Sequence, residues 1–127
     1  MPGSDARRDL EEYFRSQHLS AAVVTGAVGS VSALCLRLAQ ASDPTHLSGP
    51  FEITSLSGTL SSEGAHLHIA LADIHGNCLG GHLLHGAIVY TTLEVTVLSL
   101  PELAFRRSID PGTTFHELNI TRLLTPQ

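Results

Sequence analysis

The chain has 127 residues, enough to bury one core of its own, and no stretch approaches the roughly 20 apolar residues of a membrane-spanning helix. Its formal net charge is −5 and all seven basic residues are Arg, paired in sequence only at Arg7-Arg8 and Arg106-Arg107. That balance argues against the basic stripe of a strong autonomous DNA binder. Charged residues are only 15%, below the roughly 25% of an ordinary globular protein, so part of the surface is expected to be covered by copies of the same chain.

Residues 5–17 read as a helix, with Ser4 or Asp5 as N-cap, acidic residues in its early turns, and Leu10, Tyr13 and Phe14 as one apolar stripe. Leu19–Val28 and Val31–Leu38 read as strands joined at Gly29-Ser30, either as a hairpin or as a bent continuation. Gln40–Pro50 is polar, contains Pro44, Gly49 and Pro50, and is expected to be a loop. Phe51–Ser61 is a strand in which Gly58 signals a bulge or a close backbone approach. Ala65–Ala72 is a strand, Asp73–Asn77 a turn, and Cys78–Leu84 the return strand, interrupted by Gly80-Gly81. Ile88–Leu100 is a long apolar strand. Leu103–Arg107 and His116–Leu123 flank the turn Asp110–Thr113.

The expected fold class is α+β: a mainly antiparallel sheet of about seven strands with one or two packed helices. No linker or repeat divides the chain, so residues 1–127 are expected to form a single domain with a core over about 8–124. The first eight residues lack the apolar run of a secretory leader. Cys35 and Cys78 lie far apart without a CxxC motif. Their spacing leaves one disulfide open, but reduced, buried thiols in a cytoplasmic protein are expected.

The chemistry-bearing pattern is His66-Leu67-His68 followed by Gly80-Gly81-His82. Side chains two apart on a strand share a face, and neutral imidazole is the commonest ligand for divalent transition metals. Hairpin parity decides whether His82 joins the pair. An odd loop such as His75-Gly76-Asn77 sets Ala70 opposite His82 and puts residues 66, 68, 70 and 82 on one face. An even loop turns His82 away unless Gly80-Gly81 bulges. Three histidines with a fourth position open make a zinc-type site.

Glu94 is the lone charge in an apolar strand. It is a candidate further ligand, hydrogen-bond acceptor for a ligand imidazole, or general base, with an ion pair to Arg106 or Arg107 as the structural alternative. Arg107 is a candidate anion-binding residue, with Asp110 as its alternative partner. His85 changes facing parity relative to His82, His75 sits in the turn, and His18, His46 and His116 have no partner spacing. Asp73 is expected to hydrogen-bond within its own turn. There is no G-x-S-x-G nucleophile elbow and no phosphate-binding glycine loop.

The same residues carry a family resemblance. Phe51-Glu-Ile-Thr-Ser-Leu-Ser-Gly58, Gly64-Ala-His-Leu-His-Ile69, Asp73 with Gly76, Gly80-Gly-His-Leu83, Thr91-Thr-Leu-Glu-Val95, and Phe105-Arg-Arg-Ser-Ile-Asp110 with Glu117-Leu118 resemble the ordered motifs of the PPC domain, the plant-and-prokaryote conserved domain. The likeness runs from about Leu10 to Leu123. It implies an α+β fold assembled as a homotrimer. It also implies a metal site, generally zinc or a similar divalent ion, on His66, His68 and His82, and a distant similarity to acetolactate decarboxylase. Plant members of the family contact DNA through a separate Arg-Gly-Arg hook. This sequence contains none and is expected to have no segment before the domain in which to place one, so direct DNA binding is not expected.

Two functions follow as expectations. One is a trimeric metal-binding module with a DNA-associated, regulatory or interaction role and a protein or small-molecule partner. The other is a zinc-dependent decarboxylase-like or hydrolase-like enzyme using the three histidines.

Overall fold

The computed structural model describes residues 1–124. One α-helix and seven strands follow in chain order: α1 (Ala6–Ser16), β1 (Ala22–Arg37), β2 (Thr45–Ser61), β3 (Gly64–Ala72), β4 (Cys78–Leu83), β5 (Ile88–Ser99), β6 (Leu103–Ile109) and β7 (His116–Arg122). Every pairing between these strands is antiparallel. The expected α+β architecture is present, with one α-helix among the described residues. None of the described helices is long and apolar enough to cross a membrane.

The larger sheet runs β2-β3-β4-β1-β5, and β1 also pairs with β2. Strands β1 to β4 therefore close on themselves, with β5 alongside Ala22 to Ala33 of β1. The closure depends on β1 being one long bent strand, which selects the bent continuation over a hairpin at Gly29-Ser30. Its ladder to β5 is irregular between Gly29 and Val31, where Gly29 has a φ of 143°.

The expected loop at 40–50 is half wrong. β2 begins at Thr45, because Thr45–Ser48 pairs with Ala33–Leu36. Pro50 was the signal for a loop, but it falls at the register shift between Val31 and Ala33. A residue without an N–H is tolerated where the ladder asks for none.

The inward face is aliphatic. Leu34, Leu36, Leu56, Leu60, Leu67, Leu71 and Leu83 are almost fully buried. Helix α1 adds Ala6, Leu10 and Phe14 to this core. The carboxylate of Asp5 caps the helix by accepting from the Arg7 and Arg8 N–H groups, and it also accepts from Gly86 N–H at 2.6 Å.

The β6–β7 hairpin forms a second, two-stranded sheet. It is tied down by buried Ala104 and Phe105 and by a bond from Phe105 N–H to the Ser20 carbonyl. Both cysteines are free. Cys35 is buried as expected, whereas Cys78 is exposed, because its strand position alternates out of the core at the end of the turn.

Candidate metal centre

On β3 the odd-numbered Ala65, Leu67, Ile69 and Leu71 fill the core. Period-2 alternation therefore sends His66 and His68 to the outer face. Strand β4 brings the third imidazole. Ala72 pairs with Cys78 and His68 pairs directly with His82, leaving the five residues Asp73–Asn77 as the turn. The parity is the expected odd one, but the register is two residues from the expected pairing of Ala70 with His82; Ala70 instead faces Gly80.

The reason is the turn. The Asp73 carboxylate accepts from His75 N–H at 2.8 Å, Asn77 N–H at 2.9 Å and the Asn77 side-chain amide at 2.9 Å, closing all five residues into one loop. These bonds, that from the Asn77 amide first, hold the Asp73 carboxyl below its usual pKa.

The result is a triangle. The ring centroids of His66, His68 and His82 are 5.0 to 5.6 Å apart, and one ring nitrogen from each lies within 4.8 Å of the others. No other such group of potential ligands occurs among the described residues. A tetrahedral ion with bonds of about 2.0–2.1 Å wants nitrogens roughly 3.4 Å apart, so the three rings would draw closer around one.

Two properties suit a cation. His82 Nδ1 is buried without a hydrogen-bond partner, a cost of roughly 1–3 kcal/mol unless something coordinates it. The surroundings of His66 and His82 also favour the neutral imidazole, the ligating form. Burial, then His66, Arg37, Arg7 and His68, pushes the His82 pKa down to about 4. Burial, then Arg107, His68, Arg37 and Arg7, lowers that of His66. The residues present fit a divalent transition ion.

Arg7 and Glu11 of α1 brace the two histidine strands. The Arg7 guanidinium donates to the Ala65 carbonyl at 2.8 Å and the Leu83 carbonyl at 2.5 Å, next to His66 and His82 respectively. Glu11 pairs with Arg7 at 3.0 Å and accepts from Ala65 N–H at 3.2 Å. His85, expected to be a spectator, lies outside the triangle with its Nε2 3.7 Å from Glu11.

The hairpin β6–β7 stands over the outer face. An open cleft of about 470 Å³ is lined by Arg37, His66, His82, Arg107, His116 and Glu117 among others. A neighbouring one of about 360 Å³ includes His66, His68, Arg107 and Glu117. Arg107 thus lies beside the histidines. Its guanidinium donates to the His116 carbonyl at 3.2 Å and to Thr59 Oγ1 at 3.1 Å, while Asp110 accepts from Gly112 and Thr113 N–H groups instead.

Glu94 is not brought to the histidines within one chain. It is exposed on β5, opposite Val28, while His82 pairs with Arg37 at the far end of β1. The carboxylate in the cleft is Glu117, which sequence reasoning passed over, as it did Arg37. Glu117 had a signal only as part of the Glu117-Leu118 motif, and Arg37 had none.

The family profile of the Plants and Prokaryotes Conserved (PCC) domain matches residues 1–101. The chain belongs to this family. It is 43% identical over 123 residues to the "Bifunctional protein GlmU" of Synechococcus sp. (strain JA-3-3Ab), covering 97% of this chain and 20% of that protein. The chain thus spans about one fifth of the length of the curated relatives it matches.

A hypothetical protein from Salmonella has the same fold at a TM-score of 0.95, with 39% identity over 98% of this chain and 90% of its own. A metal-containing protein from Archaeoglobus fulgidus aligns at a TM-score of 0.80, with 30% identity over 92% and 86% of the two chains. A Ralstonia eutropha protein provisionally named as DNA-binding aligns at 0.81, with 26% identity over 93% and 85%.

Proposed function

We propose that this PCC-domain chain is a metal-binding, self-assembling module. Residues 1–127 act as one unit, with its core over about 8–124, that holds one zinc or similar divalent ion on His66, His68 and His82. It works as a cytoplasmic homotrimer in a regulatory, DNA-associated or interaction role. The observation that carries the reading is the histidine triangle with the orphaned, buried Nδ1 of His82. The relative described as metal-containing is consistent with it.

Assembly is supported by the apolar side chains left in water. Ile109, Phe115 and Ile120 on or beside the β6–β7 hairpin, and Val28 and Leu98 on β1 and β5, are all more than half exposed. A two-stranded hairpin is only marginally stable in water by itself.

Metal analysis of protein purified without chelator should give about one ion per chain, and the H66A/H68A/H82A variant none. Light scattering on the same samples should give a trimer. Equal metal content in both proteins would overturn the site, and a monomer at micromolar concentration would overturn the assembly.

A second reading, a zinc-dependent decarboxylase-like or hydrolase-like enzyme, is favoured by one observation. Glu117 supplies a carboxylate in the cleft beside the histidines, where a proton carrier would stand. Glu94 serves that reading only across a subunit contact. Turnover of a small 2-oxo or acetohydroxy acid by metal-loaded protein, abolished in E117Q with metal retained, would establish it. No turnover across such a screen would leave the module.

A further inference from the structure

Basic residues are few in this acidic chain, which has no Lys, yet two guanidinium groups without a carboxylate partner line one cleft. Arg7 is satisfied by Glu11, Arg106 lies 4.0 Å from Glu63, and Arg122 lies 3.6 Å from Glu102. Arg8 and Arg15 of α1, and Arg37 and Arg107, have no carboxylate within ion-pair distance among the described residues, and of these four only Arg37 and Arg107 lie beside His66 and His82. The Arg107 guanidinium donates to the neutral His116 carbonyl and Thr59 hydroxyl, while its backbone N–H donates to the Glu63 carboxylate at 2.7 Å, and Arg37 pairs in strand register with His82. Both line the cleft that contains His66 and His82.

Two guanidinium groups facing each other's cleft repel, and a divalent ion on the histidines, on the reading above, adds to that repulsion. Among the described residues, the acidic side chain lining the cleft is Glu117. The site is therefore short of negative charge in a protein whose net charge is −5.

We propose that this cleft binds a small organic carboxylate, held between the Arg37 and Arg107 guanidinium groups and giving an oxygen to the open position on the ion. Planar guanidinium forks match a carboxylate's two oxygens. Phe115 and Leu118, on the walls of the two adjoining clefts, offer apolar surface to a short carbon tail. The guanidinium pair needs no metal to attract an anion, so the proposal rests on the metal reading only for the oxygen given to the ion.

The test is calorimetric titration of butyrate, with inorganic phosphate as comparison, into metal-loaded protein in low-chloride buffer. The metal content of the same sample is measured in parallel. Wild type should bind butyrate saturably and more tightly than phosphate. R37Q and R107Q should keep the metal and the circular-dichroism spectrum, and each should weaken butyrate about ten- to a hundred-fold. R107K keeps the charge without the fork and should fall between.

Full metal content with no saturable butyrate binding would overturn the carboxylate site, as would unchanged affinity in R37Q/R107Q or tighter binding of phosphate. Absence of metal would overturn the metal reading alone. In that sample butyrate binding that R107Q abolishes would support the carboxylate site, and lack of binding would sink it.

Discussion

The most demanding test of how the fold builds the histidine site is a methyl group at Gly58. This residue pairs with Val24 of β1 on one side and Leu67 of β3 on the other, and its φ is 147°. A Cβ there would lie 1.9 Å from the carbonyl oxygen of His66 and 2.9 Å from Leu67 Cα. Ordinary contact begins at 3.4 Å, so β2 and β3 must part by about 1.5 Å beside His66. Ladder bonds of about 2.9 Å do not survive that widening.

The positive φ costs about 1–3 kcal/mol for a residue with a side chain. Losing two ladder bonds adds about 1 kcal/mol each. The sum, about 3–5 kcal/mol, corresponds to a fall in Tm of roughly 10–20 °C for 127 residues. Because the displaced carbonyl belongs to a proposed ligand, metal affinity should fall about ten- to a hundred-fold as well. Gly76→Ala is the control. Its φ is 79°, but a Cβ there meets nothing within 4 Å, so only the conformational cost of about 1 kcal/mol applies. Differential scanning calorimetry and competitive metal titration read both effects. Gly58→Ala melting within about 3 °C of wild type, with unchanged metal affinity, would refute the reasoning.

Three further outcomes are expected. Arg7→Met strands the Glu11 carboxylate, whose side chain is 11% exposed, and frees the Ala65 and Leu83 carbonyls, so it should cost about 3–5 kcal/mol and loosen metal binding; denaturant melts within 1 kcal/mol of wild type would contradict the bracing role. At pH 6 three ordinary imidazoles would release about two protons on binding a metal, but the lowered pKa values of His66 and His82 should hold the total, read by calorimetry in two buffers, well below two. The sign is that of a depressed histidine: the stability contribution of His82 is complete above pH 6.5 and is lost as the pH falls toward about 4, because the unfolded chain takes up a proton that the folded one refuses. Binding to duplex DNA should be weak and without sequence preference at physiological salt, given a net charge of −5; a nanomolar dissociation constant with a steep salt slope would refute this.

The local signals that were legible in the sequence were those with a short-range cause. The Asp5 cap, the Leu10 and Phe14 members of the helix stripe and the alternation through β3 each depend on residues within a turn or two of one another and stand where expected, whereas Tyr13, the third expected member of the stripe, is exposed. Gly58 announced a close approach, and the approach is to His66. One misreading lies where a distant strand decides. Thr45–Ser48 looked polar and loop-like, yet Ala33–Leu36 pairs with it. The β3–β4 register followed from how many residues Asp73 gathers into the turn, which composition does not display.

The site divides along the same line. His66, His68 and His82 sit on adjacent strands of one hairpin, so spacing and parity were enough to place them together. Arg37, Arg107 and Glu117 come from β1, β6 and β7; Arg107 was a candidate anion-binding residue and Glu117 part of a family motif, but nothing in their local sequence placed any of the three beside the histidines. They converge because β1 bends far enough to lay Arg37 beside His82, and because the β6–β7 hairpin folds back over β2 so that Arg107 reaches Thr59. Glu94 was singled out by contrast with its apolar neighbours. That contrast marks a strand with one face in water, as its exposure shows. A charge is informative about a site when the fold leaves it facing other functional groups without a counter-charge, and by that criterion Arg37 and Arg107 outrank Glu94.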